Sequence, residues 1–323
     1  GAGQTMALAG YGDQIPFEPL VEVDPDRFND FIINHDKTVF GMTDVPTFEG
    51  EDSEELIANP WVSLARQAQE TLEEDILYLA WLARKKTKVK KLCLAGGVAL
   101  NCIINQKLIE SGTFDEIYIQ PAASDEGLPL GCALSGYYAN GGQERKHMSD
   151  AYLGVPNDPA TLPGVLDNWK LKGQNVSPGE SANLLADGKI IGRVAGGSEY
   201  GPRALGNRSI LADPRPADMK NRLNAEIKHR EGFRPFAPSC LEDNIPDFFQ
   251  SPAKSPFMVI AGTVRDGERD KVPVVTHADG SCRVQTVNPD QNKKYYELIE
   301  AFGKLTDCPV LTNTSFNDRE EPI

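Results

Sequence analysis

The 323-residue sequence holds no Cys-x-x-Cys pair, no two histidines at i, i+4 and no run of eighteen apolar residues. Each absence removes a class of protein. Cys93, Cys102, Cys132, Cys240, Cys282 and Cys308 are scattered, so neither a zinc knuckle nor a disulfide framework is expected, and a reducing cytoplasmic setting fits. His35, His147, His229 and His277 are equally dispersed, so the chain shows no complete metal site. Without a long apolar run no membrane span is expected. The first twelve residues lack the charged start of a signal peptide. Positive charge is also short. With 33 Lys and Arg against 47 Asp and Glu, the net charge of −14 argues against a nucleic-acid binder, which needs a basic face.

What is present is the composition of a soluble globular protein, 40% hydrophobic and 25% charged, of a length for about two domains. Residues 1–58 read as loop-rich. A long helix is expected from Pro60 to Lys85, with Leu64, Ala65, Leu72, Ile76, Ala80 and Trp81 on one apolar seam. Strand Lys91–Ala95, helix Val98–Glu110, strand Glu116–Gln120 and helix Glu126–Tyr138 then alternate, which predicts a parallel α/β layer. Gly, Pro, Asn and Asp crowd 140–178, an interdomain connection. Beyond it, helices over 180–187 and 289–305 and strands over 190–195, 257–264, 283–287 and 309–312 predict an α+β half.

Two glycine turns carry possible chemistry in the first half. Gly96-Gly97 sits between a strand and a helix, where backbone can approach a ligand, although such turns also need glycine for steric reasons alone. Asp125, likewise between strand and helix, reads either as a cap or as a metal-binding carboxylate at the mouth of the sheet. The second half says more. Arg203, Arg208, Arg215, Arg222, Lys228, Arg230 and Arg234 gather in an otherwise acidic chain, interleaved with Gly, Pro, Phe and Ala. Such neighbours imply partly buried guanidiniums, which need anionic partners. The segment Glu199–Arg208 is therefore read as a binding site for a phosphate-bearing substrate, with Arg forks matched to its oxygens. Arg283, after the turn His277–Cys282, and the small polar run Asn313–Asn317 belong with it, though either could be turn chemistry.

Taken in order, three segments resemble the O-carbamoyltransferases of the NodU and TobZ type: Gly201-Pro-Arg-Ala-Leu-Gly-Asn-Arg-Ser-Ile210, Phe233-Arg-Pro-Phe-Ala-Pro238 and Asn313-Thr-Ser-Phe-Asn317. The resemblance covers nearly the whole chain. It implies the C-terminal part of an ASKHA domain of the TsaD kind over 1–145, a connection over 146–177 and a YrdC-like domain over 178–323. The YrdC-like domain would make carbamoyl-adenylate from carbamoyl phosphate and ATP. The first domain would pass the carbamoyl group to a hydroxyl of a small-molecule acceptor, assisted by iron or a similar divalent metal. On this basis Arg203, Lys228, Arg234 and Arg283 are expected to be catalytic, and Asn313, Ser315, His277 and Arg208 to bind substrate. Gly96, Gly97 and Asn101 would contact the adenylate, and Asp125 would be one metal ligand. The family's paired-histidine motif is not matched, so the chain is expected to be a fragment with an incomplete metal site. Two other readings stay open: a YrdC-like threonylcarbamoyl-adenylate synthase of tRNA modification, and a non-catalytic nucleotide-binding module. The acceptor and the oligomeric state are not fixed by the sequence.

Overall fold

The structure is a computed structural model that describes residues 2–13, 21–23, 31–33, 57, 61–145, 147–251 and 253–318. Its first half holds α1 (Ala2–Ala9), an antiparallel pair β1 (Val21–Val23) and β2 (Phe31–Ile33), and α2 (Trp61–Thr87). α1, which packs on α2, falls in a stretch expected to be loop-rich. Much of the expected loop-rich stretch 1–58, and Pro60, lie outside the described residues.

The expected alternation follows as β3 (Lys91–Leu94), α3 (Cys102–Glu110), β4 (Glu116–Ile119) and α4 (Leu128–Ala139), with β3 and β4 parallel. α2 lies on α3 because Ala80 meets Ile104 and Leu108, with Leu72 and Ile76 packed against them. Burying Leu108 and Ile104 fully contributes about 1.5–3 kcal/mol each. Trp81 departs from the expected seam. It is exposed, with the Lys85 ammonium over its ring. The helix expected from Val98 is also interrupted. Residues Gly97–Leu100 form a tight 3-10 turn, and Asn101 is extended so that its side chain can cap Ile104 N of α3.

After the short helix α5 (Leu162–Asn168), α6 (Pro178–Ala186) starts at a capping box in which Ser177 and Glu180 satisfy each other's backbone N–H. The elements β5 (Ile191–Val194), β6 (Arg208–Ala212), α7 (Met219–Arg222), β7 (Ala237–Leu241) and α8 (Ile245–Phe248) come next. They are followed by β8 (Phe249–Gln250), β9 (Gly262–Val264), β10 (Ser281–Cys282), β11 (Gln285–Val287), α9 (Pro289–Thr306) and β12 (Val310–Ser315). Five strands form a mixed sheet in the order β11-β7-β12-β6-β5, parallel only between β11 and β7. α6 and α9 cover it through Leu185, Leu211, Tyr295, Ile299 and Phe302. A smaller antiparallel sheet, β10-β9-β8, stands beside it.

Three strand expectations need correction. Of 257–264 only Gly262–Val264 is strand, because Met258 takes a left-handed backbone (φ 54°). Arg283 lies between β10 and β11, at the break where the chain leaves one sheet for the other. β12 runs to Ser315, so Asn313 and Ser315 are strand residues rather than turn residues. The two halves touch: Ala261 N donates to Cys102 O, and Asn105 Nδ2 donates to Val259 O. No helix among the described residues is long and apolar enough to cross a membrane.

Candidate active site

A cavity of about 270 Å³ lies where the halves meet. Met6 and Ala7 of α1 and the first turn of α3 line one side. Arg203, Arg230, Arg234, His277, Arg283 and the end of β12 line the other. Four guanidiniums face this space, and among the described residues no carboxylate lines it. The Nε atoms of Arg203 and Arg283 are buried and have no hydrogen-bond partner among the described residues. Such groups are costly unless an anion completes them.

The loop that presents Arg203 is built around an acid. Glu199 Oε1 accepts from Leu205 N (2.6 Å), Asn207 N (2.8 Å) and Arg208 N (3.3 Å), folding the segment around its own carboxylate. Gly206 has φ 111° and lies so close to the Tyr295 ring that a Cβ would fall 2.3 Å from it. Gly201, at φ 128°, sits against Pro121 O of the first half. The Arg203 backbone is thus held between the halves. Asn313 fixes the next residue, donating to Ala204 O (3.2 Å) and Ser239 Oγ (3.0 Å), while its Oδ1 stays buried without a partner among the described residues.

Arg230 and Lys228 come from a second irregular element. α7 continues into a π-helical stretch, Leu223–Lys228, ended by His229 in a left-handed conformation (φ 44°). π-Helical turns re-aim side chains and recur at functional sites. Arg230 leaves it to donate to Asn224 Oδ1 (2.8 Å) and to lie over the Phe236 ring (4.6 Å). Lys228 is turned toward the end of β12. Its Nζ meets Ser315 O (2.5 Å), Ser315 Oγ (3.2 Å), Asn317 O (2.9 Å) and Asn317 Oδ1 (2.6 Å).

Crowding of like charge appears in the titration of these groups. Arg203 is held down to about 9, first by the charge of Arg283 and then by burial, and Glu126 offsets this only in part. Burial lowers Arg283, and burial with Arg234 brings Arg230 to about 10. Lys228 falls to about 8, through burial and then Arg230. In each case burial, alone or with neighbouring positive charge, outweighs the nearby acids, which are Glu126 for Arg203, Glu231 for Arg230 and Asp318 for Lys228.

Of the residues singled out in the sequence, the cavity gathers Arg203, Arg234, Arg283, His277, Asn313 and Ser315. Lys228 stands behind the wall and holds Ser315. Arg208 stands apart from them: its guanidinium donates to Ala195 O (2.8 Å) and Asn207 O (2.9 Å) and lines no part of the cavity. Gly96, Gly97 and Asp125 form a separate exposed rim at the carboxyl ends of β3 and β4, joined by Gly96 N donating to Ala123 O (2.6 Å). Asn101 beside them has its side chain occupied, capping Ile104 N and donating to Gln69 Oε1 (2.9 Å). Sequence reading missed Arg230 as a site residue, although its spacing of four from Arg234, flanking Phe233 and Phe236, was a usable signal. It also missed Cys102 and Met258.

The iron implied by the resemblance does not fit the donors present. Among the described residues no group of three or more His, Cys, Asp or Glu could hold a metal ion, and Asp125 stands as a single exposed carboxylate.

Comparison with known proteins places the chain in a family. Residues 182–323 match the family model described as "Carbamoyltransferase C-terminus", and residues 21–134 match "Carbamoyltransferase N-terminus". The chain belongs to the carbamoyltransferase family that these two models describe. Among curated relatives, it is 40% identical over 333 residues to "Nodulation protein NolNO" of Sinorhizobium fredii, covering 99% of this chain and 48% of the relative. "Nodulation protein NolO" of Bradyrhizobium diazoefficiens is 45% identical over 264 residues, covering 79% of this chain and 48% of the relative. "Nodulation protein U" of Azorhizobium caulinodans is 38% identical over 269 residues, 83% and 46% respectively. The chain spans about half the length of the curated relatives it matches.

Proposed function

We propose that this chain carries the carbamoyl-activating site of an O-carbamoyltransferase, with carbamoyl phosphate bound in the arginine-lined cavity. The carrying observation is the pair of buried Nε groups of Arg203 and Arg283, which among the described residues have no hydrogen-bond partner and face a cavity lined by no carboxylate. In this reading the second half is a YrdC-like module. There carbamoyl phosphate and one water give carbamate and phosphate, and the carbamate oxygen then attacks the α-phosphorus of ATP, forming carbamoyl-adenylate and releasing pyrophosphate. Arg203 and Arg283 bind the phosphoryl oxygens and neutralise charge that develops as it leaves. Arg230 and Arg234 receive the polyphosphate, and Asn313 offers its free Oδ1 to the carbamoyl NH₂. Lys228 acts on Ser315 and Asn317, as a positioning residue.

The first half is read as part of an ASKHA domain in which the backbone of Gly96 and Gly97 receives the adenylate. Asn101 fixes the turn from behind. The carbamoyl group then passes to a hydroxyl of a small acceptor. Burial of the cavity between the halves suits a mixed anhydride that water destroys. No step is assigned to a metal.

The test is exchange of labelled pyrophosphate into ATP, with carbamoyl phosphate present or absent. Exchange that requires carbamoyl phosphate supports the reading. Exchange that requires threonine and bicarbonate would assign the site to threonylcarbamoyl-adenylate synthesis, and nucleotide binding without exchange would make it a binding module.

A further inference from the structure

His277 is buried, its ring lines the arginine cavity, and its Nε2 has no hydrogen-bond partner among the described residues. The other ring nitrogen is engaged: Nδ1 lies 3.1 Å from Asp279 Oδ1, which also accepts from Ser281 N at 2.8 Å. We propose that His277 is a proton-coupled ligand for a phosphate-class dianion, its Nε2 taking up a proton as the anion enters, with Asp279 as its positioning residue. The inference deepens the reading of the cavity as an anion site and rests on it.

The chemistry follows from donor and acceptor roles. Burial works to raise Asp279, but hydrogen bonds from His277 and Ser281 outweigh it and hold the acid down to about 2. Asp279 is therefore a carboxylate and can only accept, so Nδ1 must carry a hydrogen. A neutral ring then turns a lone pair, not a donor, toward the cavity. That lone pair would face an anion's oxygens, which are acceptors too. Adding a proton at Nε2 converts repulsion into a charge-assisted hydrogen bond.

The groups around the ring explain why the proton should arrive with the anion. Tyr11 of α1 meets it edge-on at 5.5 Å, and the Gly10 backbone lies so close that a Cβ would fall 2.1 Å from Cε1. Arg269 lies behind the same turn, against Gly280, and pairs with Asp266 at 2.9 Å. Across the cavity stand Arg203, Arg230, Arg234 and Arg283, with the thiols of Cys102 and Cys282. Four guanidiniums oppose a positive charge on the ring, while Asp279 beside it and Glu231, 3.6 Å from Arg234, favour one; a dianion in the cavity offsets the guanidiniums and turns the balance toward the proton.

Sulfate, which does not titrate near neutrality, is the probe. Binding heats are measured at about pH 7 in buffers of different ionisation enthalpy, where Lys228, at about 8, is already largely protonated. The wild-type chain should take up about half to one proton per sulfate. His277→Gln should bind sulfate about tenfold more weakly, with uptake near zero. Asp279→Asn lets the ring place its single hydrogen on Nε2, so sulfate binding should persist while uptake falls. Sulfate binding without uptake by the wild type, or uptake unchanged in His277→Gln or Asp279→Asn, overturns this inference and leaves the anion site standing. Absence of sulfate or phosphate binding refutes the anion-site reading, and this inference with it.

Discussion

Removing Arg283 should make the protein more stable and useless at once. Arg203 and Arg283 confine two positive charges in one cavity, and the charge of Arg283 is the largest influence holding Arg203 down to about 9. At an effective dielectric of about 20, neighbouring unit charges repel by about 2–4 kcal/mol. Arg283→Met removes that repulsion and the buried, unpartnered Nε, while keeping most of the aliphatic stem. Imperfect repacking costs about 1 kcal/mol. The ligand-free variant should therefore gain about 1–2 kcal/mol, a rise of about 0.5 M in the urea midpoint for a chain of this size. Phosphate at a hundred times its dissociation constant should stabilise the wild type by about 2.7 kcal/mol and the variant not at all. Urea unfolding with and without phosphate reads both effects. A variant that unfolds earlier without anion, yet is still protected by phosphate, would refute the reasoning.

Three further outcomes are expected. Glu199→Ala leaves the N–H groups of Leu205, Asn207 and Arg208 without their carboxylate and should cost about 2–4 kcal/mol in urea unfolding, with loss of phosphate protection. Gly206→Ala combines a left-handed backbone with a clash against Tyr295, and should cost more than about 2 kcal/mol or prevent folding, read by circular dichroism and soluble yield. Anion binding should weaken as pH rises through about 8, where Lys228 loses its proton in the folded chain. Its folded value is lowered, so its contribution to stability moves oppositely: the penalty is complete below about 8 and is relieved as pH rises. Phosphate titrations and urea melts over that range check both directions.

What could be seen in the sequence followed local regularity. α2 was plain because Leu72, Ile76 and Ala80 repeat at helical spacing over 27 residues. β6 was hidden because Ser209–Ala212 is buried on both faces and shows no alternation. β7 was hidden by Pro238, which argues against a central strand, yet it pairs there with Thr312. The gathering of the arginines was legible because they cluster in an acidic chain among Phe and Pro. Their division was not. Arg203 and Arg208 are five residues apart, but the Glu199-centred fold of the loop sends one into the cavity and the other onto carbonyls of its own turn. Arg230 gains its place from the π-helical stretch and the left-handed His229, which no local pattern announces. Asn101 was singled out by the resemblance alone, and no local pattern announced that its side chain caps Ile104 N.

The most direct measurement is a crystal structure of the chain with carbamoyl phosphate, or a non-hydrolysable phosphonate analogue, bound. The account predicts phosphoryl density between Arg203 and Arg283, within hydrogen-bonding reach of both Nε groups and of His277 Nε2. Ordered ligand elsewhere, with that cavity left to solvent, would contradict it.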